Sequence, residues 1–291
     1  MPLSEICHSL SIPALILPMR ITFFGLAGYF SALFHLAACQ NNVQDAKINP
    51  TKSDSLSNSI AILEKSVLEN PDSILLRAKL ADIQEELGQT EKALATIEQG
   101  LKQDSTAVML HNRRASLMLA KGDTAAAISG LLKSLSYAPE QTDIHVELGF
   151  LYAAQKKKNT LVVADFLLTQ ADQPALQTQA RYMKGIYYTN IGDKTNALQQ
   201  FNECIINDYT FKDAYMEKGI LLYNDKKYTD AQKVFEKVLA ISNTYAEAYF
   251  WTGKCLEALN KKTEAIDFYQ KTIGLDNQIT EAAEGIERLR R

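Results

Sequence analysis

Cysteine is scarce. There are 4 in 291 residues, with no Cys-x-x-Cys pair and no Cys/His cluster, so no zinc-binding pattern is present. The 7 Pro and 13 Gly are too few for a disordered or collagen-like chain. No excess of either charge stands out: 31 Lys and Arg face 34 Asp and Glu, a net charge of −3. Without a basic excess, nucleic acid is not an expected partner. The motifs of several reaction classes are missing as well. No Gly-rich phosphate loop, no Gly-x-Ser-x-Gly and no His-Glu-x-x-His occurs. No nucleophile, base and oxyanion donor fall together. The carboxylates read as scattered over helix exteriors, with pairs such as Glu236 and Lys237 as solvated surface. The expectation is a protein that is not an enzyme, with no cofactor and no metal site.

What the chain has instead is a period. Gly185, Gly219 and Gly253 stand 34 residues apart, as do Ala197, Ala231 and Ala265, and Phe201, Phe235 and Tyr269. A fixed period of this size marks a repeat architecture. In residues 212–245, Tyr215, Gly219 and Leu222 share one face of a helix by their spacing, widened by Leu221 and Tyr223. Asn224, Asp225, Lys226 and Lys227 break the apolar pattern. A second helix then buries Ala231, Phe235, Val238 and Leu239. Glycine costs a helix about 1 kcal/mol relative to alanine, so one recurring at mid-helix needs a packing reason. Close approach of the two helices at Gly219 and Ala231 supplies it. Such a pair cannot bury both its apolar faces alone and must stack on its neighbours.

This pattern resembles the tetratricopeptide repeat. That family carries an early aromatic in helix A, then Leu-Gly, then Tyr, and a turn Gly. Helix B follows with Ala, an aromatic and Ala, often closed by Pro. Here Tyr215 and Tyr249 match the first aromatic. Gly185, Gly219 and Gly253 match the helix Gly, Gly88, Gly122 and Gly192 the turn, and Pro71 and Pro139 the closing Pro. The resemblance implies an all-α, right-handed superhelical solenoid of antiparallel helix pairs. It also implies a non-catalytic scaffold or adaptor that binds other proteins or peptides on its concave surface. Families of this plan serve outer-membrane assembly, pilus biogenesis and the recruitment of cell-wall enzymes.

Residues 21–38 hold no charge and follow Arg20, which reads as a secretory signal. The run ends in Leu36, Ala37, Ala38 and Cys39 and looks like a bacterial lipobox. That likeness implies a signal peptide over 1–38, with Met19 as the suspected true start. Cys39 would be lipidated, and the protein would be an outer-membrane or periplasm-facing lipoprotein of the cell envelope, held to the membrane by its N-terminal lipid. The alternative is an uncleaved anchor, since 18 apolar residues are just enough to span a bilayer. Residues 39–55 read as a flexible tether. A half repeat follows at 56–73, with Ile60, Leu63 and Val67 on one face. Full repeats are expected at 74–107, 108–141, 142–177, 178–211, 212–245 and 246–279, with a polar capping helix at 280–291. The third repeat departs from the pattern. Gly149 and Gly185 are 36 residues apart, and Lys156, Lys157 and Lys158 replace the turn Gly, which reads as a local bend or a surface insertion.

His111 and His145, 34 residues apart, read as fillers of the early aromatic slot, with a metal pair as the sharper alternative. Cys204 and Cys255 read as small buried residues. The partner-binding candidates come from the family's concave register. They are Phe150 in repeat three, Tyr182 and Ile186 in repeat four, and Met216, Ile220 and Tyr223 in repeat five. Phe250 and Lys254 follow in repeat six, beside Trp251, the only tryptophan. Aromatics and Met are common anchors of binding hot spots. These positions are mostly apolar, so the Lys/Asn clamp that some family members use on a terminal carboxylate is not expected. An apolar groove for a helix or an extended segment is. A self-associating structural protein of the envelope is the alternative.

Overall fold

The structure is a computed structural model that describes residues 50–170 and 172–291. The expected leader 1–38, Met19, the lipidation site Cys39 and residues 40–49 of the tether lie outside them. Among the described residues there are helices and turns and no strand. Helix α1 (Pro50–Glu69) comes first. Six antiparallel pairs follow: α2 (Ile74–Glu86) with α3 (Thr90–Gln103), α4 (Val108–Ala120) with α5 (Thr124–Tyr137), and α6 (Thr142–Ala154) with α7 (Asn159–Leu168). The series continues with α8 (Pro174–Ile191) and α9 (Lys194–Asn207), α10 (Lys212–Asn224) and α11 (Tyr228–Ile241), and α12 (Ala246–Ala258) and α13 (Lys262–Leu275). Helix α14 (Thr280–Arg290) closes the stack. The tether expected over 39–55 is cut short, because α1 opens at Pro50. Proline suits a first helical turn, where its missing N–H would have had no partner anyway.

The recurring small residues do what their spacing implied. Gly219 lies under the ring of Phe235 and Gly185 under that of Phe201, so that a Cβ at either site would collide with the ring. A Cβ at Gly253 would come within 2.8 Å of Tyr269. Ala197, Ala231 and Ala265 are fully buried at the matching point of helix B. The early aromatic slot carries a second repeated device. The Tyr215 and Tyr249 hydroxyls donate to the carbonyls of Tyr209 and Asn243, six residues upstream, at 3.2 and 3.1 Å. His111 makes the same bond, Nε2 to the Ser105 carbonyl, at 2.9 Å.

The turn inside each pair needs one left-handed residue. Gly88, Gly122 and Gly192 supply it at φ near +80° in three repeats. Lys156, Lys226 and Asn260 take φ near +60° in the other three. Between repeats, Asp104, Asp208 and Asp276 each accept from the N–H two residues on, at 2.8–2.9 Å, closing the next turn.

Repeat three moves one helical turn across a repeat boundary. Helix α7 has 10 residues where the other second helices have 14. Helix α8 has 18 residues and starts at Pro174, ahead of the expected boundary at 178. The extra length therefore sits mainly in α8 and in the connection before it, and the α6–α7 turn at 155–158 adds one residue to the usual three. At the far end, α14 buries Ala282, Gly285 and Ile286 on α13 and turns its charges outward. Arg288 reaches back to Glu257 of α12 with Nε–Oε1 at 2.7 Å and Nη2–Oε2 at 2.9 Å, and Tyr269 donates to the same carboxylate at 2.7 Å.

Candidate functional site

The first helices of successive pairs run side by side, so residues at equal register form lanes along the stack. The nine candidate positions split by exposure. Tyr182 (1% exposed), Ile186 (2%), Met216 (7%) and Phe250 (8%) belong to the core. Tyr182 packs among Phe150, Phe201 and Phe211 with ring centroids 5.2–6.0 Å apart. As binding anchors these four are corrected: each fills the space between adjacent helices and offers a partner little surface. The phenol of Tyr182 is held well above its usual range by burial. Phe150, Ile220, Tyr223, Trp251 and Lys254 remain partly exposed.

Tyr223, Trp251 and Lys254 form one cluster across α10 and α12. The Lys254 ammonium lies 4.9 Å from the Trp251 ring centroid, 5.3 Å from that of Tyr223 and 5.6 Å from that of Phe250. Tyr223 and Trp251 meet edge to face at 5.4 Å. Burial lowers the Lys254 pKa and pushes the Tyr223 phenol up to about 12. A cation held on three π faces leaves those faces less free for a cation from elsewhere. The cluster is suited to an apolar or acidic partner group.

The reading of the acidic residues as scattered exterior charges is corrected at two places. Glu236 and Lys237 are exposed, as expected, but Glu217 is 5% exposed. Glu217 Oε2 and Glu147 Oε1 are both buried without a hydrogen-bond partner. Burial, then the charge of Asp213, pushes the Glu217 carboxyl up to about 8. Burial, then Asp143, pushes Glu147 up to about 7. Asp213 is also raised to about 7 by burial, opposed by Lys212. The sequence does carry a mark of these residues. Asp143 and Glu147 stand at the same slots before Gly149 as Asp213 and Glu217 before Gly219. At the second slot Met183 and Trp251 stand in the neighbouring repeats, so an acid there is out of place.

The histidines stack on their own repeats. His145 lies 4.3 Å from the Phe166 ring and His111 5.8 Å from that of Tyr137. His145 Nδ1 also bonds the Gln141 carbonyl at 2.9 Å, which commits one nitrogen of each ring to the backbone. Among the described residues no three His, Cys, Asp or Glu gather as metal ligands. Cys204 and Cys255 are buried free thiols, each pushed up to about 12 by burial. A depression of about 300 Å³ between α5, α6 and α7, lined by Leu132, His145, Val163 and Phe166, lies apart from the α10–α12 cluster. No described helix is long and apolar enough to cross a membrane.

The tetratricopeptide repeat family matches residues 78–141 and 216–278, and a second description of the same repeat matches 178–205. The chain belongs to the tetratricopeptide repeat family. As a member it is an all-α solenoid, and the repeats support a protein-interaction scaffold. Among solved structures it is similar to a tetratricopeptide repeat protein from Parabacteroides merdae, at 20% identity and a TM-score of 0.61 over 83% of this chain and 94% of that one. It is similar also to PilW, a type IV pilus biogenesis factor, at 18% identity and a TM-score of 0.59 over 74% and 97%. Pseudomonas aeruginosa PilF gives 14% identity and 0.55 over 72% and 94%. At these identities the likeness is one of fold. No curated protein matches the chain.

Proposed function

We propose that the protein is a lipid-anchored adaptor of a bacterial cell envelope, gathering other proteins on the inner face of its solenoid. The observation that carries the adaptor reading is the lane of partly exposed side chains on the first helices. Phe150 of α6, Ile220 of α10 and Lys254 of α12, each one residue after its marker glycine, share it, and Tyr223 and Trp251 pack around Lys254. Aromatic anchors beside a single charge are the usual make-up of an interface core. The work would be done by shape and contact, without catalysis. The anchor rests on Arg20, the uncharged run 21–38 and the Leu-Ala-Ala-Cys ending at Cys39. PilW has this fold and is a pilus biogenesis factor, which makes envelope assemblies a sensible place to seek the partner.

Two measurements test the two halves. Mass spectrometry of the mature protein should find lipidated Cys39 as its first residue; an intact N-terminus with unmodified Cys39 would end the anchor. Ile220→Ala with Tyr223→Ala should weaken capture of the partner from envelope extracts while helicity holds. Unchanged capture would argue against the inner face. Tyr182 is unsuited to this test, because truncating so buried an aromatic costs about 3–5 kcal/mol of stability.

A further inference from the structure

Two acid pairs occupy one register two repeats apart. Asp143 and Glu147 on α6 match Asp213 and Glu217 on α10, and within each pair the side chains are one turn apart on one helix face. Glu217 is buried with an oxygen that nothing satisfies, and Glu147 has another. The groups around Glu217 are Asp213 on its own helix and Tyr182 of α8. Around Asp213 are Lys212, Glu247 of α12 and the Tyr245 hydroxyl, which bonds it. Lys212 is engaged over the Tyr245 ring at 5.4 Å. Glu217 therefore lies deeper than Asp213, on the side of α10 that looks toward its neighbouring first helices. A buried carboxylate oxygen without a donor weakens the fold, and its recurrence in the same slot calls for a donor from outside.

We propose that the inner face takes an extended cationic segment of a partner protein, one Lys or Arg entering at Asp143–Glu147 and a second at the part-exposed Asp213, behind which Glu217 is buried. This rests on the reading of that face as the partner surface. Arginine fits best, since its fork of donors can serve both carboxylates of a pair. The spacing of the two cations follows from the stack. Helices α6, α8 and α10 are two packing steps of about 8–10 Å, hence about 16–20 Å in all. An extended chain rises about 3.3 Å per residue, so the cations stand about five to six residues apart. Of these, a separation of about six lets both leave the same side of the strand. Phe150 and Ile220, each next to the marker glycine of its repeat, meet the apolar residues near the two cations. Burial and the neighbouring acid keep Glu217, raised to about 8, largely protonated near neutrality, and Glu147, raised to about 7, partly so. A bound cation favours the charged form, so binding releases protons.

The test uses the full chain and a labelled Leu/Ser peptide carrying two Arg about six residues apart. Controls place the Arg side by side, or Glu in their stead. The spaced-Arg peptide should bind about tenfold tighter than either control, and calorimetry in two buffers should show protons released. Glu147→Gln with Glu217→Gln keeps the side-chain shape and should lose that advantage while the helical content is unchanged. Equal binding of the Arg and Glu peptides, or an unaffected double variant, overturns the proposal. If Tyr223→Ala still abolishes capture of the cellular partner in that case, only the cationic preference falls. If capture also survives Tyr223→Ala, the inner-face reading falls with it.

Discussion

A glycine beneath an aromatic ring and a carboxylate without a donor are opposite uses of a buried site, and each has a measurable cost. Gly219→Ala would drive a methyl into the Phe235 ring, so a loss of about 1–3 kcal/mol is expected in denaturant unfolding. Lys226 sits at φ 60°, where a Cβ is strained, so Lys226→Gly should gain about 1 kcal/mol in the same assay. The acids give a pH signature. Glu147, Asp213 and Glu217 hold protons in the fold that the unfolded chain releases, their native values of about 7, 7 and 8 standing above ordinary values of 4.5, 3.8 and 4.5. Their contribution is therefore full below the unfolded values and is lost as pH rises through about 7 to 8. The melting temperature should fall between about pH 5 and pH 8.5, and Glu217→Gln should flatten that fall and raise the value at the upper end. Sequence spacing made the glycines legible, since a residue with no side chain has few reasons to recur. It left the acids on the outside, because an i, i+4 pair of carboxylates looks like any solvated face until the neighbouring helices are in place.

At the scale of the element, the 34-residue period coincides with helix starts at some repeats and not at others, since α8 opens at Pro174, four residues ahead of 178. Repeats at 108–141, 212–245 and 246–279 each open with the observed first helix. Repeat three shows the reason for the mismatch. Its sequence lacks the turn glycine and the Ala–aromatic–Ala set, and what replaces them is one turn taken from α7 and one added to α8, a trade that leaves no local mark. A helix of 10 residues has few internal hydrogen bonds to hold it, so amide exchange in α7 should be the fastest of the second helices. Protection equal to that of α9 would show that packing by Val163, Ala164 and Leu167 makes up the difference. Helix α14 depends on its own clasp. Arg288→Ala leaves Glu257 to Tyr269 alone, so exchange should quicken in α14 while α12 is unchanged.

At the scale of the whole molecule, the six helix pairs and two flanking helices among the described residues bury one another in sequence order, and each pair touches chiefly its neighbours. On the proposed reading, the inner face of this array carries partly exposed aromatics in one stretch and acid pairs in two matching stretches. The 34-residue register placed nine candidate side chains on the first helices of repeats three to six. The register could not say which of the nine side chains would be used up in packing, because in a stacked pair a shift of one helix position turns a side chain from the groove into the core. The most direct measurement is site-specific photo-crosslinking in cells, with the reactive residue at Ile220 or Tyr223 on the inner face, or at Ile206 or Tyr209, which are 83% and 75% exposed near the end of a second helix. Crosslinks to the same partner from Ile220 and Tyr223, and none from Ile206 and Tyr209, are the expected result. Capture from the outer positions with silence from the inner ones would contradict the account.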